Sequence, residues 1–200
     1  MKAEEILREM FSWAPGKYEK TCDTLKAGDP SREVTKAAVC CFATPKIIRE
    51  AAAWGAQLLI THEPLYYNHW DDPTDPHAHT PAAQAKRALI ERTGLTVYRY
   101  HDHPHAAPVD MICQGELAAL GLPGHLERLE YFGTNCYHLD APITPRELAA
   151  HIEKALLILG HCGSEREGMR CVAERMVQAL PQIETRYFES EEVYHYPEQA

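Results

Sequence analysis

Gln57-Leu58-Leu59-Ile60-Thr61-His62-Glu63-Pro64 is the stretch that decides the fold. Its aliphatic run is uninterrupted, too short for a helix, and closed by a polar pair and a proline, which predicts a strand buried on both faces. Just upstream, Thr44-Pro45 supplies a cap and a first-turn proline for a helix over 44–54, stopped by Gly55. Ala37-Ala38-Val39-Cys40-Cys41 before it predicts a second buried strand. Working outward, a helix is expected over 3–12, then a turn-rich stretch through Pro15-Gly16 and Gly28-Asp29-Pro30. After the central strand comes a long loop, 66–81, holding Pro73, Pro76 and Pro81 with His69, His77 and His79. A helix over 82–92 and a strand over 95–100 follow it. Further along, the pattern predicts a helix over 109–120, a hairpin over 126–139 and a helix from Thr144-Pro145-Arg146-Glu147 to about 154. A strand over 156–159, a helix over 165–180 and a strand over 183–188 complete it. Strands alternating with helices imply an α/β fold with a mixed, largely parallel sheet flanked by helices. The expected organisation is one domain over 1–200, with a first lobe to about 125, a second over 126–190 and a polar tail.

The 200 residues carry 20 Lys and Arg against 29 Asp and Glu, a formal charge of −9, which disfavours a nucleic-acid partner. With 45% hydrophobic and 24% charged residues, the chain is neither disordered nor collagen-like. No apolar run suits a bilayer and no secretory leader is visible, so a soluble cytoplasmic protein is expected. The seven cysteines are odd in number and form no Cys-x-x-Cys pair, which predicts reduced thiols.

Twelve histidines against four phenylalanines mark where chemistry gathers. Three apolar strands end in histidine: at His62-Glu63, at His101-Asp102-His103-Pro104-His105, and at His161-Cys162-Gly163-Ser164-Glu165. Ligands of open α/β sheets bind beyond the carboxyl ends of the strands, so these ends can meet in one crevice. Imidazole with carboxylate suits Zn, Fe, Mn or Ni rather than an all-oxygen Ca or Mg cage. His69, His77 and His79 could belong to a lid but read more simply as a solvated loop, and Cys162 reads as a spectator. Asp102 and His103 could support the ligands or add to them.

The segment 51–65, ending Thr61-His62-Glu63-Pro64-Leu65, resembles the helix-strand-Thr-His-His-Pro signature of the Nif-three-like family, labelled type-two GTP cyclohydrolase I in some databases. Residues 96–105 resemble its second motif, His-x-x-x-Asp. Gly160-His161-Cys162-Gly163-Ser164-Glu165-Arg166 resembles its third, Gly-His-x-x-x-Glu-Arg. The resemblance implies an α/β protein with a dinuclear metal site and a hexameric homo-oligomeric ring. Glu63 stands where the family has its second His, and His105 where it has Asp. Together the swaps preserve four imidazoles and two carboxylates, as a compensated exchange. Carried over by motif, the ligands of two divalent ions are His62, Glu63, His101, His105, His161 and Glu165, with Asp102 and His103 behind them. Asp23 stands where the family often has an acidic residue. The second half is shorter than is usual in the family. These features imply a metal-dependent hydrolase acting on a small molecule through metal-activated water, with nucleotide or cyclohydrolase-type chemistry. No phosphate loop is present, so Arg99, Arg166 or the metals would meet a phosphate's charge. The alternative is a metal-binding scaffold or regulator without turnover.

Overall fold

The computed structural model describes residues 1–14, 20–129, 134–144, 146–147 and 161–190; for 120, 128–129, 134–135 and 161–164 it describes the backbone alone. Helix α1 (Ala3–Ser12) leads to strand β1 (Leu25–Ala27), β2 (Lys36–Cys40), α2 (Pro45–Trp54), β3 (Leu58–Thr61), α3 (Pro81–Thr93) and β4 (Thr96–Arg99). Then come α4 (Asp102–Ala106), α5 (Met111–Leu120), the strands β5 (Gly124–Leu129) and β6 (Thr134–Leu139), α6 (His161–Ala179) and β7 (Glu184–Tyr187).

Five strands form one sheet in the order β1-β4-β3-β2-β7. The four from β4 to β7 are parallel, and β1 runs antiparallel along the β4 edge. Antiparallel β5 and β6 make a separate two-stranded sheet. Successive strand residues point to opposite faces, and the core divides accordingly. Ala37, Val39, Leu58, Ile60, Tyr98 and Tyr100 pack with apolar residues of α1, α5 and α6. Ala38, Cys40, Leu59 and Val97 pack with those of α2 and α3. Helices therefore cover both faces, which is why the central β3 and β4 are buried at every position rather than alternating.

Three elements differ from the sequence expectation. β1 lies in a stretch read as turns, and its three residues are only half-buried. It ends at Gly28, whose φ of +85° and approach to the Thr96 backbone leave no room for a Cβ, which would lie 2.6 Å from Thr96 Cα. The histidine-rich run after β4, for which the sequence pattern predicts no element, is a short helix, α4. Helix α6 starts at His161, four residues earlier than the expected helix. The expected helix body over 148–154, the strand over 156–159 and the tail after 190 lie outside the described residues.

Candidate metal centre

His62 follows β3 directly, and its backbone N–H donates to the carbonyls of Cys40 (3.3 Å) and Cys41 (3.1 Å) at the end of β2. Its ring Nδ1 lies 3.1 Å from the carbonyl oxygen of Tyr100. A carbonyl only accepts, so Nδ1 carries the hydrogen and Nε2 the lone pair. That Nε2 is fully buried, has no hydrogen-bond partner among the described residues, and stands 3.8 Å from Glu165 Oε1. His101 and His105 repeat the pattern. The Nδ1 of His101 meets Asp102 Oδ1 at 3.0 Å, and the Nδ1 of His105 meets Asp110 Oδ2 at 3.1 Å. An oxygen that engages one ring nitrogen orients the other for a cation, which is how metal-binding imidazoles are usually held.

The three rings are neighbours, with centroids 4.5 Å apart for His62 and His101, 5.3 Å for His62 and His105, and 5.2 Å for His101 and His105. Each of the three offers a ring nitrogen within 4.8 Å of the others. His62, Glu63 and Glu165 form a second such group, and Cys22, His69, His101 and Asp102 a third.

Behind the donors lies a scaffold of carboxylates. Asp23 Oδ1 accepts from the backbone N–H of His101 (2.6 Å) and Asp102 (3.0 Å), and its Oδ2 from that of His103 (2.8 Å). It thereby does for α4 what a capping residue does for a longer helix. Asp102 Oδ2 accepts from Thr21 Oγ1 (2.7 Å) and the Cys22 N–H (3.0 Å). Asp110 caps α5 through Oδ1, accepting from Ile112 and Cys113, while its other oxygen holds His105. The buried Arg99 donates from Nε to the His62 carbonyl at 2.8 Å and also clamps the His69 carbonyl. It stands behind the candidate donors and, fully buried, is not open to a substrate's phosphate.

The electrostatics favour neutral imidazoles where a cation would sit. Burial, aided by the charge of His105, pulls His62 from 6.5 to about 4. Burial and the neighbouring His62 pull His101 to about 4 as well. For His105 burial acts downward too, but the hydrogen bond and charge of Asp110 outweigh it and leave the ring above its ordinary value. Asp102 and Asp23 are held below the usual carboxylate range. Burial works against them, and the hydrogen bonds that each accepts overcome it. Burial pushes the Cys22 thiol up to about 12.

Of the residues expected from sequence, His62, Glu63, His101, His105 and Glu165 come together from β3, α4 and α6, with Asp102 as an orienting partner. His161 opens α6, and its side chain lies outside what is described. His103 turns the other way. It is buried, bonded through Nδ1 to Asp23 at 2.6 Å, and stacked on Phe11 at 4.2 Å. Sequence reasoning gave no weight to Cys22, and took His69 for a solvated loop residue; the signal for His69 was the histidine enrichment of the loop itself. His69 sits with its ring 5.2 Å from that of His101. Beside it runs a groove of about 720 Å³ between β1, α3 and the loop, lined in part by Lys26, Tyr66, Tyr67, Trp70 and Arg87. No helix among the described residues is long and apolar enough to cross a membrane.

A protein-family model described as Duf34/NIF3 (NGG1p interacting factor 3) matches residues 1–156. No curated protein matches the chain. Among solved structures, reduced HcgD from Methanocaldococcus jannaschii is similar at 18% identity and a TM-score of 0.59, over 94% of this chain and 97% of that one. TTHA1606 from Thermus thermophilus is similar at 13% identity and a TM-score of 0.58, over 97% of this chain and 100% of that one. A Bacillus cereus protein related to NIF3 is similar at 20% identity and a TM-score of 0.50, over 63% of this chain but only 36% of its own length. At these identities the likeness is one of fold.

Proposed function

This chain belongs to the Duf34/NIF3 family, and from that premise we propose that it holds two divalent transition-metal ions and hydrolyses a small-molecule substrate with them. The observation that carries the proposal is the set of three imidazoles, each engaged at Nδ1 by an oxygen, whose donors cluster with the buried, unpartnered Nε2 of His62. That atom makes no hydrogen bond among the described residues, and because a buried acceptor left unmade costs about 1–3 kcal/mol, a cation there would relieve the cost. The donors fit the group: His62, Glu63 and Glu165 at one end, His101 and His105 at the other, with His161 added by motif. Zn, Fe, Mn or Ni would suit this mixture of nitrogen and oxygen. When bound, such ions supply Lewis acidity and acidify water.

The chain's own residues do the rest. Asp102 and Asp110 hold the rings of His101 and His105, and their charge balances part of the cations'. The Arg99 clamp keeps loop 66–73 against the centre, so that Trp70 and Lys26 stand at its edge. The groove behind them, lined by aromatic rings and by both basic and acidic side chains, is a fitting bed for a flat polar molecule, and nucleotides and ring-opening hydrolysis of the cyclohydrolase type are the first substrates to test. The family relation also supports a homo-oligomer, with the hexameric ring as its expected form.

Elemental analysis of untagged protein tests the centre, with two ions per chain expected. Glu63→Ala and His105→Ala should each lower that content to a similar degree, and two ions retained in both variants would reject the compensated exchange. Screening the loaded protein against nucleotides, phosphoesters and amides beside a His62→Ala/His161→Ala variant tests turnover. Metal without variant-sensitive turnover would leave a metal-binding scaffold or regulator in place of a hydrolase. Light scattering on the eluting protein tests the ring, and a monomer would reject it.

A further inference from the structure

The three donor groups overlap in a chain. His62 links the carboxylate end to the central imidazoles, and His101 links those to Cys22 and His69. The two ends share no residue. One imidazole nitrogen holds one ion, so His101 can serve the middle or the far end, but not both through Nε2.

We propose that Cys22 and His69 complete the His101 half of the centre, so that one ion sits among a thiolate and two imidazoles and the other among His62, His105, Glu63 and Glu165. This rests on the two-ion reading of the cluster, which it deepens by assigning donors that the family motifs do not include. The three residues come from three separate segments, and Asp102 anchors two of them. The backbone N–H of Cys22 is anchored on Asp102, and the residue is buried, 1% exposed. His69 is anchored by the Arg99 clamp on its carbonyl, and its ring stands at 86° to that of His101. His101 is oriented by Asp102. Asp102 lies within reach of the same point, yet both its oxygens are already engaged, by His101 on one side and by Thr21 and Cys22 on the other. In the proposed set its part is to orient the His101 ring and the Cys22 backbone. One sulfur and two nitrogens leave a fourth position open for solvent or substrate, the pattern of catalytic rather than structural zinc sites. The two halves then differ in character: sulfur and imidazole prefer Zn, Co or Fe(II), whereas the carboxylate-bearing half tolerates harder ions such as Mn.

Cobalt substitution decides the matter, because thiolate bound to Co(II) gives a near-ultraviolet charge-transfer band that imidazole and carboxylate do not. The full chain is stripped with a chelator, reloaded with Co(II), and measured for both cobalt content and absorption. The band is expected in the wild type and in Cys113→Ser, and absent in Cys22→Ser. His69→Ala, at an exposed loop position that tolerates truncation, should keep the fold and weaken the Co(II) that carries the band by at least roughly tenfold. Cobalt bound at two per chain with no band, or with a band that survives Cys22→Ser, would overturn the assignment and leave the two-ion centre standing. Failure to bind cobalt at all would overturn the two-ion reading, and the assignment with it.

Discussion

Asp23 receives three consecutive backbone amides and the ring of His103, and so sets where His101 and His105 stand. Asp23→Ala strands buried donors that nothing else nearby can accept. A loss of about 3 kcal/mol in urea unfolding is expected, with a drop of about 10–100-fold in metal affinity. A change below about 0.5 kcal/mol would show that α4 holds itself. Protonation offers a second residue-scale test, on chelated protein. His62 and His101 titrate near 4 when folded and at 6.5 when unfolded, so the unfolded chain takes up protons first as pH falls. The stability is complete above 6.5 and is lost between 6.5 and about 4, by about 3 kcal/mol for His62 alone. His105, raised by Asp110, runs the other way: its contribution is full below 6.5 and is lost as pH rises above that value. Asp23, Asp102 and Asp110 give way only below the ordinary carboxylate value of 3.8. A urea midpoint that is flat from pH 6.5 to 4 would contradict the burial of both imidazoles. Asp23 had little to announce it in the sequence, since its partner His101 is 78 positions away.

Helices α5 and α6 cross with almost no gap, and two glycines allow it. A Cβ on Gly115 would lie 2.3 Å from the Glu167 carbonyl oxygen, and one on Gly168 would lie 2.5 Å from Ile112 Cα. Both obstacles are backbone, so the helices would have to separate. Gly168 is one turn from Glu165, and the separation would carry that carboxylate away from His62. Gly168→Ala is expected to cost about 1–3 kcal/mol despite its better helix propensity, and to lower metal content as well. Unchanged stability would mean the crossing is looser than described. The strands and long helices were legible because their signals are local: Thr44 accepts from the Ile47 N–H and Pro45 follows it, as the sequence implied. β1 was not, because its three half-buried residues carry no pattern and owe their conformation to hydrogen bonding with β4.

At the scale of the whole molecule, the candidate donors run from position 22 to position 165, so an ion bound among them would tie the ends of β3 and β4 to α6 across the sheet. Ligation should therefore stabilise the folded chain globally. A metal present at a hundred times its dissociation constant adds about 2.7 kcal/mol, and a chelator should lower Tm correspondingly. A Tm indifferent to chelation would argue against a preformed centre. The sequence by itself determined the α/β class, the covered faces of the sheet, the strand ends that bear histidine, and the candidate donor positions that a family motif marks. Those properties depend on hydrophobic periodicity, caps and short spacings, which are local along the chain. The tertiary structure alone decided which ring nitrogen is left for a cation, that His103 faces the core while its neighbours face the candidate centre, and that Cys22 and His69 lie near His101. Each of those depends on hydrogen bonds or burial between segments distant in sequence, and such contacts exist only once the sheet has closed.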